Sequence, residues 1–182
     1  MQRYNHGAIA LHWLTAALIV VNLILGVSMV QLGISPRKIQ WYLAHKSFGI
    51  TIFMLTSARL AWRAARSHPP AVPMVPWQAR AARLSHAALY VLLFAIPLSG
   101  WVYSSATGVQ VVYLGVVPLP ALVPKDRALA DVLRLAHVTL NVLLTLVVAV
   151  HTAAALKHHF VDRDEVLARM LPLRFRRGTA PP

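Results

Sequence analysis

The sequence contains no cysteine and few acidic residues, five in a chain of 182. Without cysteine the chain forms no disulfide, no iron–sulfur cluster and no thiolate metal site. It also has no C-x-x-C-H segment for covalent attachment of a c-type haem, so any haem would be held by axial ligands and packing alone. Nine histidines, many for this length, are left as the main candidates for binding a metal.

Charged residues are also scarce. They make up 13% of the chain, about half of what is typical of a soluble domain, whereas 58% of the residues are hydrophobic. Eighteen basic residues against five acidic ones give a formal net charge of +13. The basic residues lie between apolar runs and form no stripe with interleaved aromatic side chains, so they indicate lipid headgroups rather than nucleic acid. The composition predicts an integral membrane protein.

Apolar segments long enough to cross roughly 30 Å of hydrocarbon as helices, which takes about 20 residues, occur along the whole chain. They lie at about 8–30, 43–62, 84–104 and 136–160, the last being apolar over 136–156. Residues 105–124 carry no charge but contain glycines and prolines, which favour a loop on the surface or in the interface. The sequence predicts an all-α transmembrane four-helix bundle formed by residues 1–182, with a short basic amphipathic C-terminal tail that binds anionic lipid.

The distribution of Lys and Arg among the loops predicts the orientation of the bundle. With the N-terminus in the cytoplasm, twelve basic residues fall on the inner side and six on the outer side, so both termini are predicted to be cytoplasmic. A positive outer rim attracts a small anion or an acidic soluble partner, or it contacts lipid alone. The residues of this rim are Arg37, Lys38, Lys46, Lys125, Arg127 and Arg134.

Histidines within the spans match in depth as two pairs. His137 and His151 are fourteen residues apart, which on a helix is a rise of roughly 21 Å and a return to within about 40° of the same face. His45, beside Lys46, lies near the outer rim at the depth of His137, and His12 lies in the inner half at the depth of His151. This pattern is typical of two stacked haems, each iron bound by one imidazole from each of two facing helices. The predicted ligand pairs are His12 with His151 and His45 with His137.

Other interpretations of the four histidines remain open. An imidazole in a membrane can instead bond to a neighbouring helix or face a water-filled cavity. The same side chains can also bind zinc or copper in a metal transporter. Metal-transport pores usually contribute carboxylates, however, and the predicted spans contain none.

Further candidates lie toward the inner side of the predicted bundle. Arg59 either contacts a haem propionate or anchors its helix at the inner surface. His86 and His158 are predicted to lie too shallow for the inner haem, and they either line a second site at the inner rim or meet water. Trp13, next to His12, either contacts that inner site or belongs to an aromatic belt.

Several short motifs along the chain occur together in one known family. They are His12-Trp13, His45-Lys46-Ser47-Phe48-Gly49-Ile50, Leu84-Ser85-His86, the segment from Tyr90 to Pro97, and His137 leading to His151-Thr152-Ala153-Ala154-Ala155-Leu156-Lys157-His158-His159-Phe160 and Met170-Leu171-Pro172. With these motifs the chain resembles the bacterial cytochrome b561 family over about residues 4–177.

The resemblance implies a four-helix protein of the bacterial cytoplasmic (inner) membrane with two haem b groups. In it, His12 and His151 ligate one haem, and His45 and His137 ligate the other. One branch of the family is similar to superoxide oxidase, which passes electrons from superoxide at the outer face to ubiquinone. The resemblance also implies that a quinone is used and that His86 or His158 contacts it, with Trp13 beside them.

Three functions are consistent with these features. An iron with two histidine ligands has no open position, so the haems carry single electrons and bind no substrate at the metal. The chain is then a superoxide:ubiquinone oxidoreductase, or a haem-bearing anchor subunit that passes electrons between quinone and a partner dehydrogenase or hydrogenase. The third alternative, without haem, is the metal transporter.

Overall fold

The computed structural model describes residues 3–66 and 69–172. Within these residues the chain forms long helices joined by short connections, with one small hairpin. The elements are α1 (His6–Gln31), α2 (Pro36–Ala65), α3 (Pro76–Ala106), β1 (Val112–Tyr113), β2 (Val117–Pro118) and α4 (Arg127–Phe160). The later part of the predicted basic tail, with Arg174, Arg176 and Arg177, lies outside the described residues.

Capping residues set where the helices begin. The Asn5 side chain accepts a hydrogen bond from the backbone N–H of Ala8 at 2.9 Å, and Asp126 accepts one from Leu129 at 3.0 Å. Ser35 caps α2, and a proline follows it at the start of the helix. These caps satisfy N–H groups that have no partner within the helix. Since the caps precede the apolar segments, α2 and α4 begin earlier than hydrophobicity alone predicts.

The helices differ in how well they suit a membrane. Among the described helices, α1, α3 and α4 are long and apolar enough to cross one by length and composition, and α2 is not. The sequence-based prediction of a span at 43–62 does not meet this criterion, because α2 carries His45, Lys46 and Arg59 with several hydroxyl side chains. It packs against both α1 and α3, which shields part of its polar surface.

A layer of apolar side chains fills the middle of the bundle. Ile19 of α1, Ile52 of α2, Leu92 and Leu93 of α3 and Leu144 of α4 form one buried cluster. The closest backbone packing is between α3 and α4 and between α1 and α2. Because every helix contributes to the same layer, the space inside the bundle is divided into two halves.

One end of the bundle, here called the terminal end, holds both described chain ends. The backbone N–H of Tyr4 donates to the carbonyl of Arg169 at 3.3 Å, and the indole Nε1 of Trp13 donates to the carbonyl of Met170 at 2.7 Å. The guanidinium of Arg169 also donates to the carbonyl of Pro70, at 2.7 Å, in the connection between α2 and α3. Residues 161–172 therefore pack against the start of α1 and that connection.

The opposite end, here called the hairpin end, is covered by residues 107–126. The sequence predicts a loop over 105–124, and the structure folds its centre into the antiparallel pair β1–β2, with Val112 opposite Pro118. At the turn, Leu114 and Gly115 have positive φ angles of 53° and 72°, which is unfavourable for leucine. The N–H of Leu114 donates to Oγ of Ser47 at 3.0 Å, so the turn is tied to α2.

Candidate functional site

The hairpin end brings together His45 of α2 and His137 of α4. Their ring centres are 6.3 Å apart and the ring planes are nearly perpendicular, at 88°. Nδ1 of His45 lies 3.2 Å from the carbonyl oxygen of Asn22. A carbonyl oxygen only accepts hydrogen bonds, so Nδ1 carries the proton and Nε2 keeps its lone pair. Nε2 of His45 is thereby left available to bind a metal.

A cavity of about 300 Å³ surrounds this pair. Its wall includes both imidazoles, Lys46 and Gly49, and residues of α3 and of the connection to α4. Cβ atoms placed on Gly26 and Gly100 would lie 3.1 Å from Cε1 of His45 and 3.0 Å from Cε1 of His137. Glycine inside a helix is unfavourable by about 1 kcal/mol relative to alanine, and these two glycines leave room for the rings.

The terminal end brings together His12 of α1 and His151 of α4, with ring centres 6.5 Å apart. The rise per residue along the helices predicts the same pairing, because it puts His12 and His151 at the same depth. His86 of α3 joins them, with its ring centre 5.4 Å from that of His151. The prediction that His86 lies too shallow to reach the inner pair is wrong, because α3 begins at Pro76 and His86 is well inside the helix rather than near its start.

Arg59 adds a positive charge to the terminal-end site. It is close enough to interact electrostatically with His12, His86 and His151. Its guanidinium carbon also lies 5.7 Å from the centre of the Tyr90 ring, a cation–π contact. The structure therefore places Arg59 beside the histidines of the terminal-end site. An anionic group of a ligand bound there would be close to its guanidinium.

Two further candidates at the terminal end already have partners in the C-terminal segment. The Trp13 ring lies edge-on to His12 at 5.4 Å between centres, and its N–H is donated to Met170. Nδ1 of His158 lies 2.5 Å from Oδ2 of Asp164 and 3.2 Å from Oδ2 of Asp162. His86 is exposed on the surface of α3, and the Trp13 ring is also exposed, at 40%. His86 and Trp13 are therefore both accessible from outside the bundle, whereas His158 is partly buried.

The predicted basic rim at the hairpin end is less uniform than its sequence suggests. Lys46 lines the cavity, and its ammonium group donates to Oγ of Ser104 at 2.7 Å. Arg37 stacks over the ring of Trp41 at 5.1 Å, and Lys38 donates to the carbonyl of Leu32 at 2.7 Å. Arg134 is exposed on α4. Lys46 is therefore the member of this group that the cavity includes.

Both histidine pairs fit a haem iron. Metal–imidazole bonds are about 2 Å long and the ring centre lies about 1 Å beyond the bonded nitrogen, so an iron between two imidazoles puts their ring centres about 6 Å apart. The observed separations are 6.3 and 6.5 Å. The histidine pairs join α4 to α1 and to α2, whereas α4 packs most closely against α3. There is therefore space between α4 and these two helices for a flat ligand.

Sequence reasoning missed Ser99, Gly26 and Gly100, which shape the hairpin-end site. Ser99 is one of many helical serines and threonines in this chain, and nothing in the pattern distinguishes it. The glycines did leave a signal, because each lies inside a long apolar helix where glycine is unfavourable. That signal indicates a close approach without telling which side chain approaches.

The described part of this chain is an apolar helical bundle that holds paired imidazoles at haem-ligand spacing. These features are those of the class of membrane b-type cytochromes. The family model of prokaryotic cytochrome b561 matches residues 3–173. This chain belongs to the prokaryotic cytochrome b561 family. It is accordingly a bacterial membrane protein that binds haem b and transfers electrons.

Individual relatives agree with this assignment. The chain is 37% identical over 175 residues to cytochrome b561 homolog 2 of Escherichia coli K12, which covers 93% of this chain and 92% of the relative. It is 31% identical over 179 residues to cytochrome b561 homolog 1 of the same organism, covering 96% and 99%. It is also 31% identical over 175 residues to the probable superoxide oxidase CybB of Yersinia pestis, covering 94% and 97%.

Proposed function

We propose that the protein holds two haem b groups and carries electrons from superoxide to ubiquinone across the bacterial inner membrane. His45 and His137 ligate the haem at the hairpin end, and His12 and His151 ligate the haem at the terminal end. The hairpin end faces the periplasm and both termini face the cytoplasm, in agreement with the excess of basic residues expected there. The observation that carries the proposal is the pair of ring separations, 6.3 and 6.5 Å, each suited to one iron.

When bound, a haem with two imidazole ligands takes up and gives up single electrons and leaves no position on the iron for oxygen. The residues around each site bind the haem and attract the substrate. His45 and His137 would hold the haem iron through their imidazoles, and the ammonium group of Lys46 in the cavity wall attracts an anion. Superoxide is an anion small enough to enter this region. A nearby relative carries the name of a probable superoxide oxidase, which favours superoxide over an acidic soluble donor.

The proposed reaction balances over two electrons. Two superoxide anions each lose one electron and leave as O₂. Ubiquinone takes up the two electrons and two protons and leaves as ubiquinol. Protons are therefore required at the terminal end and none is released at the hairpin end.

The terminal end provides groups for the quinone. The exposed ring of His86 beside His151 is open to an apolar ligand that arrives from the lipid, and it can donate a hydrogen bond to a quinone carbonyl. His158 and Asp164, with 2.5 Å between Nδ1 and Oδ2, hold a proton close to the cytoplasmic side. Arg59 lies where a haem propionate would meet it, and Trp13 borders His12.

A spectroscopic experiment tests this proposal. The purified protein should contain two haem b per chain in a pyridine haemochrome assay. It should be reduced on rapid mixing with superoxide, and one ubiquinol should form for every two superoxide anions consumed. Peroxide formed in the ratio of dismutation, or an unchanged spectrum after mixing, would disprove the superoxide reaction.

The same preparation separates the alternatives. Two haems that respond to quinol but not to superoxide, in a protein that purifies with a tightly bound dehydrogenase or hydrogenase, would show an anchor subunit. A colourless protein whose His45→Ala variant loses metal uptake would show a transporter. Either result would replace the proposed function.

A further inference from the structure

The hydrogen bonds of the imidazole Nδ1 atoms differ between the two sites. At the hairpin end, Nδ1 of His45 lies 3.2 Å from the carbonyl of Asn22 and Nδ1 of His137 lies 2.9 Å from Oγ of Ser99. At the terminal end, Nδ1 of His12 is buried and has no hydrogen-bond partner within residues 3–66 and 69–172. The sites thus have the same ring spacing but different support behind the rings.

The Ser99 hydroxyl is arranged to accept a hydrogen bond from the imidazole rather than to donate one to it. Its Oγ lies 2.8 Å from the carbonyl oxygen of Ile96, and that oxygen can only accept. A hydroxyl has a single proton, so the bond to Ile96 uses it and leaves the oxygen lone pairs for Nδ1–H of His137. The Ile96 carbonyl is itself close enough to the His137 ring to accept a hydrogen bond, so it and Oγ of Ser99 share this side of the imidazole. The bond to Ile96 also polarises the hydroxyl and makes its oxygen a better acceptor. Nε2 of His137 then keeps its lone pair and is available to bind a metal.

Such an acceptor changes the electronic properties of the ligand. An imidazole that donates its Nδ1–H becomes more basic at Nε2, and a more basic ligand favours the ferric over the ferrous iron. We propose that Ser99 is a positioning residue of the hairpin-end centre, which orients His137 and lowers the reduction potential of the haem bound there. This inference rests on the proposed haem ligation by His45 and His137. It adds that one hydroxyl on α3, a helix without a ligand of its own, tunes that haem.

The consequence for electron transfer is directional. Lowering the potential of the hairpin-end haem favours transfer of its electron to the terminal-end haem. The unpartnered Nδ1 of His12 provides no matching stabilisation of ferric iron at that end. Ser99 therefore helps electrons to move from the hairpin end to the terminal end.

A pair of isosteric variants tests the proposal. Ser99→Thr keeps the hydroxyl, whereas Ser99→Val puts a methyl group in its place and leaves the Ile96 carbonyl as the remaining acceptor near the ring. Potentiometric titration of the purified protein would follow both haems, and the signal that disappears in His45→Ala identifies the hairpin-end haem. Thr145→Val is the matched control, because it removes a helical hydroxyl that bonds to the Asn141 carbonyl on the exposed face of α4.

We expect Ser99→Val to raise the potential of the hairpin-end haem relative to Ser99→Thr. A loss of about three- to tenfold in the preference for ferric iron is expected, and tenfold corresponds to about 59 mV for a one-electron couple. The terminal-end haem should keep its potential in both variants, and Thr145→Val should leave both haems unchanged.

Equal potentials in the Thr and Val variants, or a lower potential in Ser99→Val, would overturn the proposal. If Ser99→Val loses the hairpin-end haem, Ser99→Ala, which has a smaller side chain, takes its place. The potential of the hairpin-end haem is then compared between Ser99→Ala and Ser99→Thr. Failure of the haem ligation on which this inference rests is recognised separately, because the unmodified protein would then lack two haems, and failure of the superoxide reaction leaves the two potentials measurable.

Discussion

The two ends of this bundle present histidine pairs of nearly the same spacing in different surroundings. At the hairpin end, each ring has a hydrogen-bond acceptor behind it and a glycine beside it, and the pair opens on a cavity of about 300 Å³. At the terminal end, a third histidine and an arginine join the pair, and the C-terminal segment closes over it. The comparison shows that helix geometry sets the spacing of the rings, while neighbouring side chains decide how each pair is used.

The largest expected effect comes from removing a hairpin-end ligand. His45→Ala and His137→Ala should each leave one haem b per chain instead of two, because the remaining imidazole cannot hold the group alone. The haem that remains should keep the spectrum of the terminal-end site. Pyridine haemochrome assays on membranes and on purified protein would measure this. Retention of both haems in either variant would separate these histidines from haem binding.

The next prediction concerns which histidine faces His151 across the iron. His12 and His86 both lie near its ring, at 6.5 and 5.4 Å between centres. We expect His12→Ala to lose the terminal-end haem, whereas His86→Ala should keep both haems and reduce ubiquinone about tenfold or more slowly, because a hydrogen bond to the quinone is lost. Haem content and the rate of quinone reduction are measured on the same preparations. The opposite outcome would exchange the roles of the two residues.

A smaller effect is expected where a glycine makes room for a ring. Gly100→Ala puts a Cβ 3.0 Å from Cε1 of His137. Overpacking of this kind costs about 1–3 kcal/mol, so the hairpin-end haem should be retained about 10- to 100-fold less tightly. Gly33→Ala is the control, because nothing lies within 4 Å of its added Cβ. Equal haem retention in the two variants would show that the ring moves aside freely.

The smallest effect is expected from the charge in the cavity wall. Lys46→Gln should slow the reaction with superoxide about three- to tenfold at low ionic strength, because a local positive charge raises the encounter rate of an anion. The difference from the unmodified protein should shrink as salt is added. Lys38→Gln should change this rate less, since Lys38 is not part of the wall of the cavity. Stopped-flow mixing at several salt concentrations would check both.

Much of the architecture could be predicted because it follows from one-dimensional patterns. Long apolar segments predicted the helices, and residue rise along those helices grouped His12 with His151 and His45 with His137. The position of His86 could not be obtained in this way. It depends on where α3 begins, and Pro76 rather than the apolar segment sets that start.

The hydrogen-bond acceptors behind the rings, the Ser99 hydroxyl and the Asn22 backbone carbonyl, also could not be predicted from the sequence. The contact between Ser99 and His137 joins α3 to α4, and the contact between Asn22 and His45 joins α1 to α2. Such contacts depend on how neighbouring helices are rotated and on their depth relative to each other. Periodicity gives the face of one helix and not its register against the next.

An apolar layer lies halfway along α4, where Leu144 is midway between His137 and His151. Such a layer affects the movement of electrons and of protons differently. In the proposed reaction electrons would tunnel between the two haem sites, whereas protons need a chain of polar groups, which the side chains of Ile19, Ile52, Leu93 and Leu144 do not offer. In the proposed reaction, negative charge thus crosses the membrane inward while its compensating protons come from the cytoplasm. Each turnover would charge the membrane with the inside negative, against about 2.3 kcal/mol per electron for every 100 mV already present.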